Sequence, residues 1–556
     1  MPFNFGFSKA GFIQCGISNK LQYEPNTVIG NGSNSTTVYE GRFEGIPVAV
    51  KQMHRNIFQG ISERAISEKM NVNDINEAKI LREYDHENVI RYYILDHDNR
   101  GFIYLGLELC VANLAEFLEF GKPEKLPLGE EKHDVKKHLL KGMLEGLHYL
   151  HGVGIIHNDL KPQNILLRTN KCPKKVGNME MKFTAVISDF GMSLVIDEGR
   201  NSKTVVDDLI GTKGWRPKEV VEKIEEFNRN FIGRNGRKPF LSIEESFDDL
   251  SIIDGKIKGT KQVDIFALGC IIQYVMADTE DSRGTPWFMH PFGDETARDR
   301  RIKDNKRIAY ISIKPGKSLE HVRLSEILAD MLVGVCVHGD PQCRPNTAEI
   351  KQHPFFWEPT MRYQFIEKTA NKVKHMASGS EALGILKYKW KQLHSWGYEK
   401  EIPNAVNYMK NFVEKSGGNF QITGCRSVVN LLRDIRNIKQ HYTEIQVEQQ
   451  GKEQDPHHIV FDLRDGRDED FDRYFFEKVV LLLPVVYTWC LYNLPRETLG
   501  AYSSFFDSSE GENEINLRER VYWKTLEKIL SEYPPYTDGS CALRERKRKR
   551  TRSSDG

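Results

Sequence analysis

The chain has 556 residues, more than one ordinary domain, and a length of this order suggests about three or four domains. Hydrophobic residues make up 39% and charged residues 28%, enough for packed cores plus polar insertions. The formal net charge of +1 excludes a whole-molecule attraction to nucleic acid, so any RNA contact must come from local basic surface. Nine cysteines are scattered, with no C-x-x-C pair and no histidine cluster at zinc spacing, which points to a reducing compartment.

The opening MPFNFGFSKAGFIQCG lacks a charged n-region and a continuous apolar run, so it does not read as a signal peptide. Residues 1–24 are taken as a leader. From Thr27 to Met53, short β-rich runs are separated by glycine turns. Within them, Gly30-Asn31-Gly32-Ser33-Asn34-Ser35 matches the first two glycines of G-x-G-x-x-G, with Ser35 in place of the third. Glycine in such a loop lets backbone N–H groups approach phosphate oxygens with no Cβ in the way. Val48-Ala49-Val50-Lys51 follows, and a lysine ending a buried strand needs an anionic partner. The helical spacing of DINEAKILREY, residues 74–84, offers Glu77 for that role. FIYLGLEL, residues 102–109, reads as a buried strand, and beyond Asn113 the pattern becomes mainly helical.

His157-Asn158-Asp159-Leu160-Lys161-Pro162-Gln163-Asn164 resembles the protein-kinase catalytic loop H-R-D-L-K-x-x-N, and Asp189-Phe190-Gly191 follows it. That resemblance implies a role for each residue. Asp159 would accept the proton of a substrate hydroxyl. Lys161, the usual mark of a Ser/Thr enzyme, would stabilise the transferring phosphoryl group. Asn164 and Asp189 would hold Mg2+ across the phosphates of ATP. Gly30, Gly32, Lys51 and Glu77 would serve the phosphates. The backbone of Glu108 and Cys110 would meet the adenine edge, with Ala49 and Leu166 on the two faces of the ring. Asp264 and Arg344 resemble buried anchors of a kinase large lobe, with Arg344 paired to Glu219. Asn158 replaces the arginine that normally meets an activation-loop phosphate, which argues against control by loop phosphorylation. Pro217-Lys218-Glu219 replaces A-P-E, and Ser202 and Thr204 are candidate phosphoacceptors.

Residues 222–258 are polar and read as a surface insertion, which costs little loop-closure entropy. After HPFFW, at 353–357, a helical region begins with no linker. The apolar run VVLLLPVVYTWCLY, 479–492, is too short for a hydrocarbon core of about 30 Å and is expected as a buried helix. The dense basic run RERKRKRTR, 544–552, is expected as a disordered tail and is a candidate nuclear-import or nucleic-acid segment.

LLRDIRNIKQHY, 431–442, and YFFEKVVLLLPVVY, 474–487, resemble the kinase-extension nuclease domain. That domain occurs in the inositol-requiring kinase–endoribonucleases of the unfolded-protein response and in ribonuclease L. On a helix, Asn437 lies on one face with Arg433 and His441. The resemblance implies that Arg436 and Asn437 position a phosphate and that His441 acts as general acid in metal-free RNA cleavage. The family's catalytic tyrosine is replaced by Thr423, and a hydroxyl of this kind is a far weaker acid than a phenol of pKa about 10. Asn430 replaces an acidic residue expected in the same helix.

The expected architecture is α+β: a two-lobed protein kinase fold over 25–357, an all-α kinase-extension nuclease domain over 358–500, and a tail over 501–556. The expected function is a Ser/Thr kinase coupled to nucleotide-gated cleavage of a stem-loop RNA, as in mRNA processing, with a protein substrate or the chain itself as phosphoacceptor. The resemblance implies a homodimer, or a heterodimer with relatives. The sequence itself, with no apolar run long enough for a membrane span, is expected to be cytoplasmic, with the basic run 544–552 as the sign of a nuclear location. The alternative is a pseudoenzyme that binds ATP and dimerises with active relatives.

Overall fold

The computed structural model describes residues 11–31, 36–54, 72–127, 130–176, 179–196, 202–205, 211–235, 257–277, 300, 302–303, 310–313, 322–393, 427–437, 476, 479–494, 502, 504–505 and 512–532. The chain divides into two compact units. One holds Met1–Ala309 with Cys336–Lys351, and the other holds Tyr310–Val335 with Gln352–Gly556. Residues 310–335 and 352–357, which the sequence suggests for the kinase lobe, fall in the second unit.

The first unit opens with a six-stranded antiparallel sheet in the order β1-β2-β3-β4-β6-β5. Its strands are β1 (Ile13–Cys15), β2 (Leu21–Asn31), β3 (Thr37–Phe43), β4 (Ile46–His54), β5 (Tyr92–His97) and β6 (Phe102–Glu108). Part of the leader thus supplies an edge strand. Asp96 holds the turn after it, accepting from Ile17 N at 3.1 Å and Ser18 N at 3.2 Å. Gly16 makes that turn possible: its φ is +78°, and a Cβ there would overlap the Asp96 carboxylate. Helix α1 (Val72–Glu83) packs against β5 and buries Ala78, Ile80 and Leu81.

Beyond β6, β7 (Ala112–Asn113) leads into α2 (Leu114–Phe120) through a capping box between Asn113 and Glu116. The long helix α3 (Glu130–Gly152) follows, with Leu139, Leu140, Met143, Leu144, Leu147 and Leu150 buried. This repeat at helical spacing makes α3 the central post of the helical part. Then come β8 (Ile155–Ile156), β9 (Ile165–Val176), β10 (Met179–Ile187) and β11 (Leu194–Val195). β9 and β10 form a hairpin paired to β7, while β11 pairs with β8. Between these short sheets two mostly buried loops, 157–164 and 188–193, lie side by side.

Two features depart from a plain surface insertion over 222–258. Helix α4 (Lys218–Asn235) occupies its first part. Strand β13 (Ile257–Thr260) pairs antiparallel with β12 (Ser202–Val205), with Ser202 opposite Thr260 and Thr204 opposite Lys258. β13 runs directly into α5 (Lys261–Met276), which is buried almost all round.

The second unit contains α6 (Leu324–Cys336), which ends at its boundary, then α8 (Pro359–Lys374), α9 (Glu381–Leu393), α10 (Leu482–Asn493) and α11 (Glu512–Glu532); the short α7 (Thr347–Lys351) belongs to the first unit. Residues 428–437 are also helical. As the sequence suggests, the apolar run is a core helix: Leu482 through Cys490 are all buried in α10. Pro484 sits in its first turn, where a missing N–H costs nothing. Around it Trp357, Phe365, Tyr487 and Phe505 pack as tilted and edge-on rings 5.1–6.2 Å apart. Among the described residues, no helix is long and apolar enough to cross a membrane.

Candidate active site

Lys51 ends its buried run on β4, and two carboxylates meet it. Its Nζ lies 2.8 Å from Glu77 Oε2 on α1 and 2.9 Å from Asp189 Oδ1. Glu77 is only 1% exposed, and its other oxygen accepts from the backbone N of Phe190 at 3.1 Å. One glutamate therefore ties a strand lysine to the loop that carries Asp189. Burial disfavours the lysine's charge, but Glu77 and Asp189 outweigh that effect and raise its pKa above the usual lysine value. The same lysine holds the Asp189 carboxyl below the ordinary range, against burial.

Asp189 adopts a left-handed conformation with φ of 66°, and Phe190 beneath it is fully buried. The Phe190 ring meets His157 edge-on at 5.1 Å. His157 Nε2 lies 2.9 Å from the Ser188 carbonyl, which can only accept, so Nε2 carries the proton. Nδ1 is thereby left to accept from Asp159 N at 3.3 Å. Asp264, from α5, accepts from the backbone N of His157 and of Asn158, each at 2.8 Å. The loop is thus bolted to the helical core from below.

On this support Asp159 is held by three side chains. Thr212 Oγ1 donates to its Oδ1 at 2.6 Å, Lys161 Nζ donates to Oδ2 at 2.8 Å, and Asn164 Nδ2 donates to Oδ2 at 3.1 Å. Lys161 also donates to Thr212 at 2.8 Å, closing a triangle. Sequence reasoning missed Thr212. The only local sign is the glycine before it: Gly211 has φ of +61°, and a Cβ there would lie 2.8 Å from Asn158 O.

Asn158 is also left-handed, with φ of 68°. Its Nδ2 donates to Met192 O at 3.3 Å, and its buried Oδ1 has no partner among the described residues. At the expected hinge, the Glu108 carboxylate pairs with Arg168 at 2.6 Å. Burial first, then the Glu108 charge, pushes the Cys110 thiol up to about 12. Ala49 is buried opposite Leu107 on β6, and Leu166 is paired with Asn113. Gly30 stands opposite Val38 on β3. Gly32 and Ser35 lie outside the described residues.

Arg344 and Glu219 form a two-bond pair at 2.6 and 2.8 Å. The guanidinium also donates to Gln262 O and His338 O and lies 5.2 Å over the Phe266 ring.

The magnesium ligands proposed from sequence can be tested on their free valences. Asn164 spends its Nδ2 on Asp159, leaving its Oδ1 to face a cation. Asp189 has one oxygen on Lys51 and a carboxylate 42% exposed. No group of three or more metal-binding side chains occurs among the described residues. Two oxygen ligands suffice for a cation that takes its remaining ligands from phosphates and water.

In the second unit, Arg436 and Asn437 lie in the last described turn of the helical segment 428–437, whose Val428, Leu431, Leu432 and Ile435 are buried. Arg436 donates through Nη1 to Asn371 Oδ1 on α8 at 2.7 Å, and through Nε and Nη2 to Asn437 Oδ1 at 3.2 and 2.9 Å. The two residues are therefore brought together. His441 and Thr423 lie outside the described residues.

Structural need alone does not gather a lysine and two carboxylates beside an aspartate held by three donors. The first unit is of the protein kinase class. Residues 23–230 match the protein kinase domain, and residues 362–501 match the ribonuclease 2-5A family. Over 432 residues the chain is 28% identical to "Serine/threonine-protein kinase/endoribonuclease ire-1" of Caenorhabditis elegans, covering 77% of this chain and 36% of that one. It is 28% identical over 444 residues to "Serine/threonine-protein kinase/endoribonuclease IRE2" of Homo sapiens, covering 78% and 38%. It is 27% identical over 495 residues to "Sensor for unfolded proteins in the ER ire1" of Schizosaccharomyces pombe, covering 88% and 39%. The chain is thus similar to the kinase–endoribonucleases in both its kinase and its ribonuclease segments, and it spans less than half the length of these curated relatives.

Proposed function

We propose that the chain is a Ser/Thr protein kinase whose ATP site gates an RNA-cleaving second unit, in a response of the unfolded-protein type. The observation that carries this reading is Lys51 clamped between Glu77 and Asp189, because a lysine so paired is ready to meet phosphate oxygens. Glu108 and Cys110 would meet the adenine edge between Ala49 and Leu166. Gly30 and Gly32 would let the backbone approach the phosphates. Asn164 and Asp189 would hold Mg2+, which supplies charge neutralisation across the phosphates.

The chain's own residues do the rest. A substrate hydroxyl approaching Asp159 gives up its proton to the carboxylate as its oxygen attacks the γ-phosphorus, and the bond from that phosphorus to the bridging oxygen breaks to release ADP. Thr212, Lys161 and Asn164 keep that carboxylate aimed. Lys161 offsets the charge that builds on the phosphoryl oxygens. In the second unit, Arg436 and Asn437 would hold a phosphodiester. The neighbouring ribose 2′-hydroxyl attacks its phosphorus and loses its proton to solvent, the bond from phosphorus to the 5′-oxygen breaks with His441 donating a proton to that oxygen, and a 2′,3′-cyclic phosphate is left. The substrate is RNA, the phosphoacceptor is a protein or the chain itself, and a dimer with a second copy or a relative would complete the RNA site.

The test uses purified protein with labelled ATP and a stem-loop RNA, with and without ATP analogues. Autophosphorylation should vanish in Asp159→Ala, and cleavage should vanish in His441→Ala. Phosphoryl transfer that survives Asp159→Ala would overturn the kinase assignment, and cleavage that survives His441→Ala would overturn the nuclease assignment.

A further inference from the structure

The net charge of +1 leaves nucleic-acid binding to local surface, and one surface concentrates positive charge. Residues 359–393 carry seven lysines and arginines against two glutamates, so the rest of the chain is net acidic. This stretch is the α8–α9 helical pair of the second unit. Helix α9 turns Leu383, Leu386 and Trp390 into the core. At helical spacing an adjoining, exposed face carries Gly384, Lys387, Tyr388 and Lys391.

Tyr388 is 60% exposed, and its hydroxyl accepts from Gln392 Nε2 at 2.7 Å. One turn earlier, a Cβ on Gly384 would meet nothing within 4 Å, so the surface beside the tyrosine is open. Lys387, Lys391 and Lys374 are exposed and have no ion-pair partner among the described residues. Lys389, by contrast, is tied to Glu527 and lies over the Trp523 ring. The free lysines thus sit on the face that is not used for packing.

The end of α8, which carries Lys374, adjoins the candidate RNA site. Asn371, one turn before the end of α8, accepts from Arg436. Two residues earlier, Thr369 lies 3.6 Å from Cys490 Sγ, while Trp489 Nε1 donates to Ala382 O at the start of α9. The end of α8 and the start of α9 therefore meet the same turn of α10.

We infer that the exposed α8–α9 face, through Lys374, Lys387, Lys391 and Tyr388, docks a single-stranded stretch of RNA leading away from Arg436. The lysines take backbone phosphates, and Tyr388 gives an unstacked base a ring to lie against. An RNA strand suits this surface better than an acidic peptide, because an aromatic platform between unpaired lysines matches alternating base and phosphate. The inference deepens the proposed RNA function and rests on it for the direction of the strand, but it concerns binding and can fail separately.

The test is fluorescence anisotropy of the full chain with a labelled 12-nucleotide single-stranded RNA over a range of KCl concentrations. The triple variant Lys374→Ala/Lys387→Ala/Lys391→Ala should lose affinity at low salt, and its log Kd against log[KCl] slope should fall by about 2. Tyr388→Ala should lose about tenfold at every salt concentration, since stacking is not screened. Tyr388→Phe should bind as the parent does. A control triple on exposed lysines of the kinase unit, Lys79→Ala/Lys171→Ala/Lys223→Ala, should bind within about twofold of the parent. Parental affinity in both the Lys374/Lys387/Lys391 triple and Tyr388→Ala would overturn the inference, as would an equal loss in the control triple. Anionic vesicles bound by the parent but not by the Lys374/Lys387/Lys391 triple, with RNA binding unchanged, would overturn it in favour of a lipid surface. If the parent binds RNA through these residues yet does not cleave it, the nuclease reading fails while the docking surface stands.

Discussion

Thr212 donates its hydroxyl hydrogen to Asp159 across 2.6 Å and at the same time accepts from Lys161 at 2.8 Å. Fifty-three residues separate Thr212 from the aspartate, so the contact links the segment after the Asp189 loop to the catalytic loop. Removing it leaves Asp159 its charge and two of its three donors but frees its orientation. Thr212→Ala should lower kcat for phosphoryl transfer about tenfold to a hundredfold with little change in KM for ATP. Thr212→Ser should keep most of the activity. Initial rates across an ATP series check both, and an alanine variant with full kcat would show that the hydroxyl is a bystander.

That contact also marks where the sequence stopped being readable. Asp159, Asn164 and Asp189 were legible because they stand in motifs that resemble those of protein kinases, Lys51 and Glu77 because a buried strand lysine needs an anionic partner, and the structure places Lys51 on both Glu77 and Asp189 and Asn164 on Asp159. Thr212 was not, because Gly-Thr is common and its partner is distant. β1 was missed for a similar reason: Ile13–Cys15 is too short to show a period, and its turn is held by Asp96 from another strand. The β12–β13 pairing joins two short polar segments that lie far apart in the chain, so no local pattern marks it. In the second unit, the buried α10 was legible as an unbroken apolar run. The contact between Arg436 and Asn371 was not, because helix periodicity gives a face but not the neighbour it meets.

Lys51 and Glu77 make a separate prediction, because Glu77 is almost wholly buried. Lys51→Met removes the cation and leaves the carboxylate with the Phe190 N–H as its remaining donor among the contacts described above. The expected cost is about 3–5 kcal/mol of stability, together with loss of ATP-analogue binding. Adding Glu77→Leu to Lys51→Met should recover much of the stability and none of the nucleotide binding. Calorimetric melts beside nucleotide titrations separate the two effects. A double variant no more stable than Lys51→Met would show that the charge left behind is not the cause.

Arg344 is a structural counterpart to that clamp. Its guanidinium is buried, takes both oxygens of Glu219 and donates to two carbonyls. Arg344→Lys keeps a charge but cannot reproduce the planar fork, and should cost about 1–3 kcal/mol. Arg344→Ala should cost about 3–5 kcal/mol, because Glu219 and two carbonyls lose their donor. Urea unfolding at neutral pH measures both. Equal midpoints for Arg344→Lys and the parent would show that charge alone, not geometry, is required.

His353 gives the second unit a built-in sensitivity to acid. Its ring is buried against Tyr487 and Tyr522 at 5.5 and 5.8 Å. Its Nδ1 accepts from Phe355 N at 3.2 Å, while Nε2 has no partner among the described residues. Burial pulls its pKa down from 6.5 to about 3, so the folded protein keeps it neutral where the unfolded chain would protonate it. Between those two values the unfolded state binds the extra proton. The contribution of His353 is therefore complete above pH 6.5 and falls as the pH drops toward 3, with a limiting slope of about 1.4 kcal/mol per pH unit. Thermal melts from pH 7.5 to 5 should show a falling midpoint for the parent. His353→Leu should start from a lower midpoint at pH 7.5, having lost the bond to Phe355 N, and should fall less steeply. A slope unchanged by that substitution would move the acid sensitivity to other groups.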